Sequence, residues 1–170
     1  MSHRATDHRS AASTADPVPP GLAIHHLEKW SAASQLLSPS TLERLCGKDL
    51  LNQARQAQLS LSHVIVATFH DEPIGFAAYK PGAAGIRVAH ELWVDTNAPC
   101  GLAPVASLLL GRLEKEALKS GCSKFFIAVP QMIPLRRILQ THGYLITLES
   151  ADLLWFEKSL LDDYHPLESA

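Results

Sequence analysis

The chain switches between two hydrophobic periods, and each switch marks an element. "GLAIHHLE" (residues 21–28) has the short apolar alternation of a first strand. "EKWSAASQLL" and "STLERLCGKDLLNQARQAQLS" change to helical spacing, predicting two helices separated by Pro39, with Ser40 as N-cap of the second and Leu42, Leu45 and Cys46 on its apolar side. "SHVIVATFH", the turn "DEPIG" and "IGFAAYKPG" make a hairpin signal, and after a loop holding Gly82 and Gly85, "GIRVAHELWV" adds another strand to an antiparallel meander.

Helical spacing returns after "PCGLAP". Val105, Leu108, Leu109, Leu113 and Ala117 fall on one stripe, while Arg112, Glu114, Lys115 and Lys119 fall on the solvent side. Gly121 stops this helix, "KFFIAVP" reads as a buried strand, and "MIPLRRILQTHG" as a shorter helix ending at Gly143. Two closing strands, "YLITLE" and "DLLWFEKSL", complete the domain. The pattern divides the chain into a polar, Pro-ended tail expected to be disordered (1–21), one folded domain (22–160) and a C-terminal tail (161–170).

Composition adds limits. At 170 residues the chain is long enough for one well-buried core. A net charge of -2 gives no electrostatic reason for a nucleic-acid partner, and no apolar run approaches a membrane span. Cys46, Cys100 and Cys122 are odd in number and lack paired metal spacing, which points to a reducing compartment and a cytoplasmic protein. The polar start has no apolar centre of the kind a secretory signal needs. His25 and His26 are adjacent without the Cys or carboxylate spacing of a metal site, so no metal is expected. Trp30, Trp93 and Trp155 stand outside any nucleic-acid motif and are expected in core or rim packing.

The order strand, two helices, three strands, helix, strand, helix, two strands resembles the GNAT N-acetyltransferase superfamily over roughly residues 22 to 160. Two segments carry the likeness. "HELWVDTNAPCGLAPVASLLLGRLEKEALKSG" is similar to that family's fourth strand, pyrophosphate loop and third helix, and "LRRILQTHGYLITLESADLLWFEKSL" to its closing helix, Gly-aromatic turn and last hairpin. The resemblance implies an α/β fold with a mixed, mostly antiparallel central sheet flanked by helices. It also implies an acyl-CoA-dependent N-acyltransferase, with acetyl-CoA as donor and the primary amine of a small molecule as acceptor. The alternative is a catalytically inactive binding or assembly module on the same fold, and a homodimer is left open.

In that family the pyrophosphate of acetyl-CoA sits on backbone amides at a helix N-terminus, where unpaired N–H groups and the helix dipole favour an anion. The family's loop falls here on Ala98, Pro99, Cys100, Gly101, Leu102 and Ala103. The resemblance implies cofactor contacts from Val94, Cys100, Gly101, Leu102 and Ala103. The cationic or amide residue that opens the family's loop is replaced by Ala98, and Pro99 and Pro104 offer no N–H. A base is needed to take the acceptor's proton. Glu91 resembles the acidic residue common at its position and is preferred; His90 is the second candidate. Strand alternation puts the two on opposite faces. The family's thiolate-protonating Tyr is replaced by Leu139, and Tyr144 occupies the place of a packing aromatic. His142 and the pair Arg136 and Arg137 are read as surface groups of the closing helix, and Cys100 has no demonstrable His or acid beside it.

Overall fold

The computed structural model describes residues 17–48, 52–80 and 86–161. Their order is β1 (Leu22–Leu27), α1 (Trp30–Leu36), α2 (Pro39–Cys46), α3 (Gln53–Ser60), β2 (His63–Phe69), β3 (Glu72–Tyr79), β4 (Ile86–Val94), α4 (Leu102–Lys119), β5 (Lys124–Pro130), α5 (Ile133–Thr141), β6 (Leu145–Glu149) and β7 (Leu153–Ser159). The strands form one seven-stranded sheet in the order β1-β2-β3-β4-β5-β7-β6. Every pairing is antiparallel except β4 with β5, which α4 joins as a crossover. The fold is therefore a mixed α/β sheet, mostly antiparallel, flanked by helices. The Gly82 and Gly85 loop, residues 1–16 of the expected N-terminal tail and 162–170 of the C-terminal one lie outside the described residues.

Two cores hold the helices to the sheet. On one face Val105, Ala106, Leu109, Leu110 and Leu113 of α4 and Leu135 and Leu139 of α5 pack with Ile65, Ala77, Leu92, Phe125 and Phe156. On the other, Ala33, Leu37, Leu42, Leu45 and Leu59 of α1 to α3 cover Val64, Val66, Phe76 and Ala78. The expected stripe on α4 is therefore wider than its sequence pattern, with Leu108 only partly buried. Glu114, placed on the solvent side by its spacing, instead accepts from Tyr144 Oη at 2.8 Å and from Lys158 Nζ at 3.3 Å.

Local chemistry corrects the predicted boundaries. The segment read as one helix from Ser40 to Ser60 is two, because the chain turns through positive φ (77°) at Gly47 and restarts where Asn52 caps α3. The cap of α2 is Ser38, whose hydroxyl accepts from the Thr41 amide, and not Ser40. Pro39 occupies the first turn, where its missing N–H costs nothing. The β2–β3 turn is the pair His70–Asp71, both at positive φ (48° and 68°), so Glu72 already belongs to a strand.

β3 meets α4 at Gly75. A Cβ there would lie 2.9 Å from the Trp93 carbonyl oxygen and 3.2 Å from Val105 Cγ1. Gly75→Ala is accordingly expected to push α4 off the sheet and destabilise the fold by about 1–3 kcal/mol. A thermal midpoint equal to that of the parent would show that the helix can shift without strain.

Candidate active site

β4 and β5 run parallel only from Ile86 against Lys124 to Ala89 against Ile127, while β3 stays with β4 as far as Val94. Beyond Ala89 the two strands part. The gap opens into a cavity of about 450 Å³ lined by His90, Glu91 and Trp93 of β4, Ala128 of β5, Trp155 of β7 and Arg55 of α3 among others. A β-bulge lies at its root: Ala78 pairs with Glu91 but Tyr79 with Ala89, leaving His90 as the extra residue. Ala89 and Leu92 both enter the α4-side core, so His90 and Glu91 are left together on the cavity side. Simple alternation placed them on opposite faces. The bulge is what brings both to one site.

Glu91 is 5% exposed and fully engaged. Its Oε1 accepts from Arg55 Nε at 3.2 Å and Nη2 at 2.8 Å; its Oε2 accepts from Nη2 at 3.0 Å and from the Trp93 indole N–H. The Arg55 guanidinium also lies 6.0 Å from the Trp93 ring centroid. A carboxylate has about four lone-pair sites, and this network takes them all. The charge of Glu91 is thus neutralised within the site, and no lone pair is left for an incoming proton.

His90 is arranged differently. Ser62 Oγ donates its only proton to the Gln58 carbonyl at 2.9 Å, so at 3.2 Å from His90 Nε2 it accepts, which assigns the Nε2–H tautomer. Nδ1 then carries a lone pair, and it is buried without a partner among the described residues. Burial, followed by the charges of Lys80 and Arg55, lowers the imidazole pKa to about 4. Cys46, on the same cavity, is pushed up to about 12 by burial and then by the charge of Glu91, and its thiol donates to the Leu42 carbonyl, so it is no nucleophile.

The loop leading to α4 lies at the open end of this gap, since it continues from the C-terminal end of β4. The Ala98 amide bonds to the Asp95 carbonyl and the Gly101 amide to that of Ala98, forming two tight turns. Gly101 has φ 87° and ψ 155°, a conformation open essentially only to glycine. No side chain caps α4, and its first amides, those of Leu102 and Ala103, precede any helical carbonyl they could bond. Val94 is buried and bonds to β3, Cys100 is half-buried, and Gly101 and Ala103 are exposed. Ala98 is 8% exposed and belongs to the α4-side core, so the loop's leading position faces inward. A second hollow of about 530 Å³ adjoins the helix start, between Ala103, Pro104 and Ser107 on one side and Pro17 and Pro19 on the other.

Other sequence candidates lie elsewhere. Leu139, on α5, is fully buried in the core. Tyr144 packs in the core, where burial and then Glu114 hold its phenol protonated well above its usual range. His142 Nε2 lies 2.9 Å from Ser107 Oγ, and Arg136 pairs with Glu149 at 3.8 Å. His25 reaches Thr68 and His26 reaches Tyr79; among the described residues no His, Cys, Asp or Glu cluster could hold a metal, and no helix is long and apolar enough to cross a membrane. Sequence reasoning missed Arg55, Ser62 and Asp152, all polar residues without a motif around them.

Removing the countercharge of Arg55 is expected to be costly. Glu91→Gln should destabilise by about 3 kcal/mol, toward the low end for buried pairs because Arg55 keeps 27% of its side chain exposed. Adding Arg55→Met should recover part of that loss; strictly additive losses in denaturant titrations would show that the two charges are not coupled. The lowered pKa of His90 has a definite sign. The unfolded chain takes up this proton near 6.5 and the folded one only near 4, so stability is full above 6.5 and falls as pH drops between the two. His90→Gln should remove that part of the acid dependence, and an unaltered profile would contradict it.

No protein-family model matches the chain, and no curated protein is similar to it in sequence. Solved structures are similar in fold. A GNAT family acetyltransferase from Elizabethkingia anophelis, with acetyl-CoA bound, superposes with a TM-score of 0.60 at 15% identity, covering 83% of this chain and 99% of that one. Aminoglycoside 6′-acetyltransferase type Ii gives 0.63 at 16%, covering 81% and 97%, and an N-acetyltransferase from Staphylococcus aureus Mu50 gives 0.57 at 16%, covering 82% and 98%. This chain has the fold of the GNAT N-acetyltransferases.

Proposed function

We propose that the protein is an acyl-CoA-dependent N-acyltransferase that moves an acetyl group from acetyl-CoA to the primary amine of a small molecule. One observation carries the reading: the uncapped, glycine-led N-terminus of α4 lies at the open end of the gap between two parallel strands that part. An anion at that helix end and an extended arm reaching between the strands would satisfy, respectively, the free amides and the strand edges left unpaired. The amides of Leu102 and Ala103, presented by the turn at Cys100 and Gly101, would hold the pyrophosphate, and backbone near Val94 the arm. The neighbour from Elizabethkingia anophelis holds acetyl-CoA, which supports the same donor here. The bound thioester would supply the activated acyl group.

The chain's own residues supply positioning and a proton acceptor. His90 is preferred over Glu91 for the second task, because its buried Nδ1 has no hydrogen-bond partner among the described residues and a turn of the ring would bring it to the acceptor, while every oxygen of Glu91 is engaged. An amine nitrogen becomes strongly acidic as it bonds to the acyl carbon, so a weakly basic imidazole suffices to take its proton; the thioester C–S bond would break as the amide forms, and CoA would leave as a thiolate that takes up a proton from solvent. Glu91, Arg55 and Trp93 then form a rigid wall. The inactive-module reading has its own support in the saturated carboxylate and in the two prolines that reduce the amide count.

Calorimetric titration with acetyl-CoA separates these readings. Binding is expected, and Gly101→Val should weaken it by at least about tenfold, since a branched side chain cannot keep the loop's backbone angles. A folded Gly101→Val variant binding as tightly as the parent would reduce the loop to a structural turn. With an acceptor in hand, His90→Gln is expected to lower kcat by about a hundredfold or more. The parent's imidazole-dependent acid limb should lie near pH 4 and not near 6.5. Unchanged kcat would remove His90 from the reaction.

A further inference from the structure

The cavity's charge balance says more about the acceptor than the fold does. Glu91 is neutralised by Arg55, and His90 and Cys46 are uncharged at neutral pH. Among the described residues lining the cavity, Asp152 is left as the one charge without an ion-pair partner. Asp152 is held in place by the β6–β7 turn. The Ser150 amide bonds to the Leu153 carbonyl at 2.9 Å, the Leu153 amide to Ser150 Oγ at 3.2 Å, and the Asp152 carbonyl takes the Gln131 amide at 3.2 Å. The backbone that carries this exposed side chain is thus fixed at the cavity's rim by the β6–β7 turn and the loop after β5.

The walls have their own asymmetry. Trp93 is committed to the interior: its indole N–H goes to Glu91, one side meets the Arg55 guanidinium, and it packs on the α1–α3 core. Trp155 is half-buried on the opposite wall. Its neighbour across the β6–β7 pairing, Leu148, is 59% exposed and continues the apolar surface outward, while Leu153 lines the cavity beside it. Ala128, paired with Trp155 on the adjacent strand, is the small residue that leaves room beside the indole. A half-buried indole next to an unpaired carboxylate suits a ligand with a flat apolar body and a cationic end.

We infer that the acceptor is a primary amine carried on an aromatic body, its ring on Trp155 and its ammonium drawn in by Asp152, with one proton lost to solvent before the neutral amine attacks. This deepens the transferase reading and rests on it for the reaction, but not for the binding. Polyamines would leave the indole wall uncovered, and hydroxyl-rich amino sugars would strand their hydroxyls against Trp155 and Leu153.

The test is titration of the full chain, followed by tryptophan fluorescence and calorimetry, with and without saturating acetyl-CoA. Three probes are used: 2-phenylethylamine, spermidine and 2-phenylethanol. The expected result is binding of 2-phenylethylamine at least about tenfold tighter than either other probe, since spermidine lacks the ring and 2-phenylethanol the charge. Trp155→Ala and Asp152→Asn should each weaken it by about tenfold or more, and Asp152→Asn should do so without changing the thermal midpoint. Spermidine binding as tightly as 2-phenylethylamine, absence of 2-phenylethylamine binding in both conditions, or full affinity in either variant would each overturn the inference. Binding of 2-phenylethylamine without any binding of acetyl-CoA would sink the transferase reading and leave this site standing. Binding of acetyl-CoA with no preference among the probes would do the reverse.

Discussion

The separation of β4 from β5 is the constraint on which the rest of the structure depends. Parallel strands joined by a helix are ordinarily paired along their length, because an unpaired backbone group shut away from water is expensive. Here pairing stops at Ala89 and Ile127, at the point where His90 is inserted as a bulge. A bulge increases local twist and bends its strand, so the extra residue both turns β4 toward β3 and leaves an open edge facing β5. The cavity opens at the point where that extra residue is inserted, and the loop leading to α4 continues from the same strand.

Holding such a gap open requires filling one side with groups that do not collapse into it. The Arg55–Glu91–Trp93 network meets that need. Arg55 comes from α3, Glu91 and Trp93 from β4, so the network ties a helix to the strand that has lost its partner. A guanidinium and a carboxylate in bidentate contact are geometrically specific in a way that apolar packing is not. The two charges of the pair offset each other's net charge in the cavity, although each still acts on its neighbours, Arg55 on His90 and Glu91 on Cys46.

Much of the architecture was legible in the sequence because it rests on periodicity. The strands from His63 to Tyr79 and from Lys124 to Pro130 are apolar and bounded by turns, and the stripe from Val105 to Ala117 is a plain helical face. The site was legible only as a place. "HELWV" gave the right strand, but period-two counting assigned His90 and Glu91 to opposite faces, and no local signal announces a bulge, since it is defined by the partner strand's register. Arg55 was hidden for a similar reason. It lies in a short helix among Gln53, Gln56, Gln58 and Ser60, and only the tertiary approach of α3 to β4 distinguishes it from these polar neighbours. Ser38 and Gly47 were misjudged through local chemistry that the sequence does contain: a proline needs its cap before it, and a glycine inside a polar run ends a helix as readily as it continues one.

The hydrogen bonds of the buried carboxylate at position 91 bear on how readily it could exchange partners with an acceptor. A general base must be able to exchange hydrogen-bond partners during the reaction, whereas a structural carboxylate is most useful when it cannot. Glu91 accepts four bonds from two residues, of which Trp93 packs on the α1–α3 core, and releasing any of them would leave a guanidinium or an indole N–H short of a partner in a partly buried site. The neighbouring imidazole has the opposite character: it is held at one nitrogen by Ser62 and left free at the other. Two adjacent residues thus differ in kind, a carboxylate locked into a network and an imidazole with one unpartnered nitrogen, and it is the bulge that lets both face the same cavity.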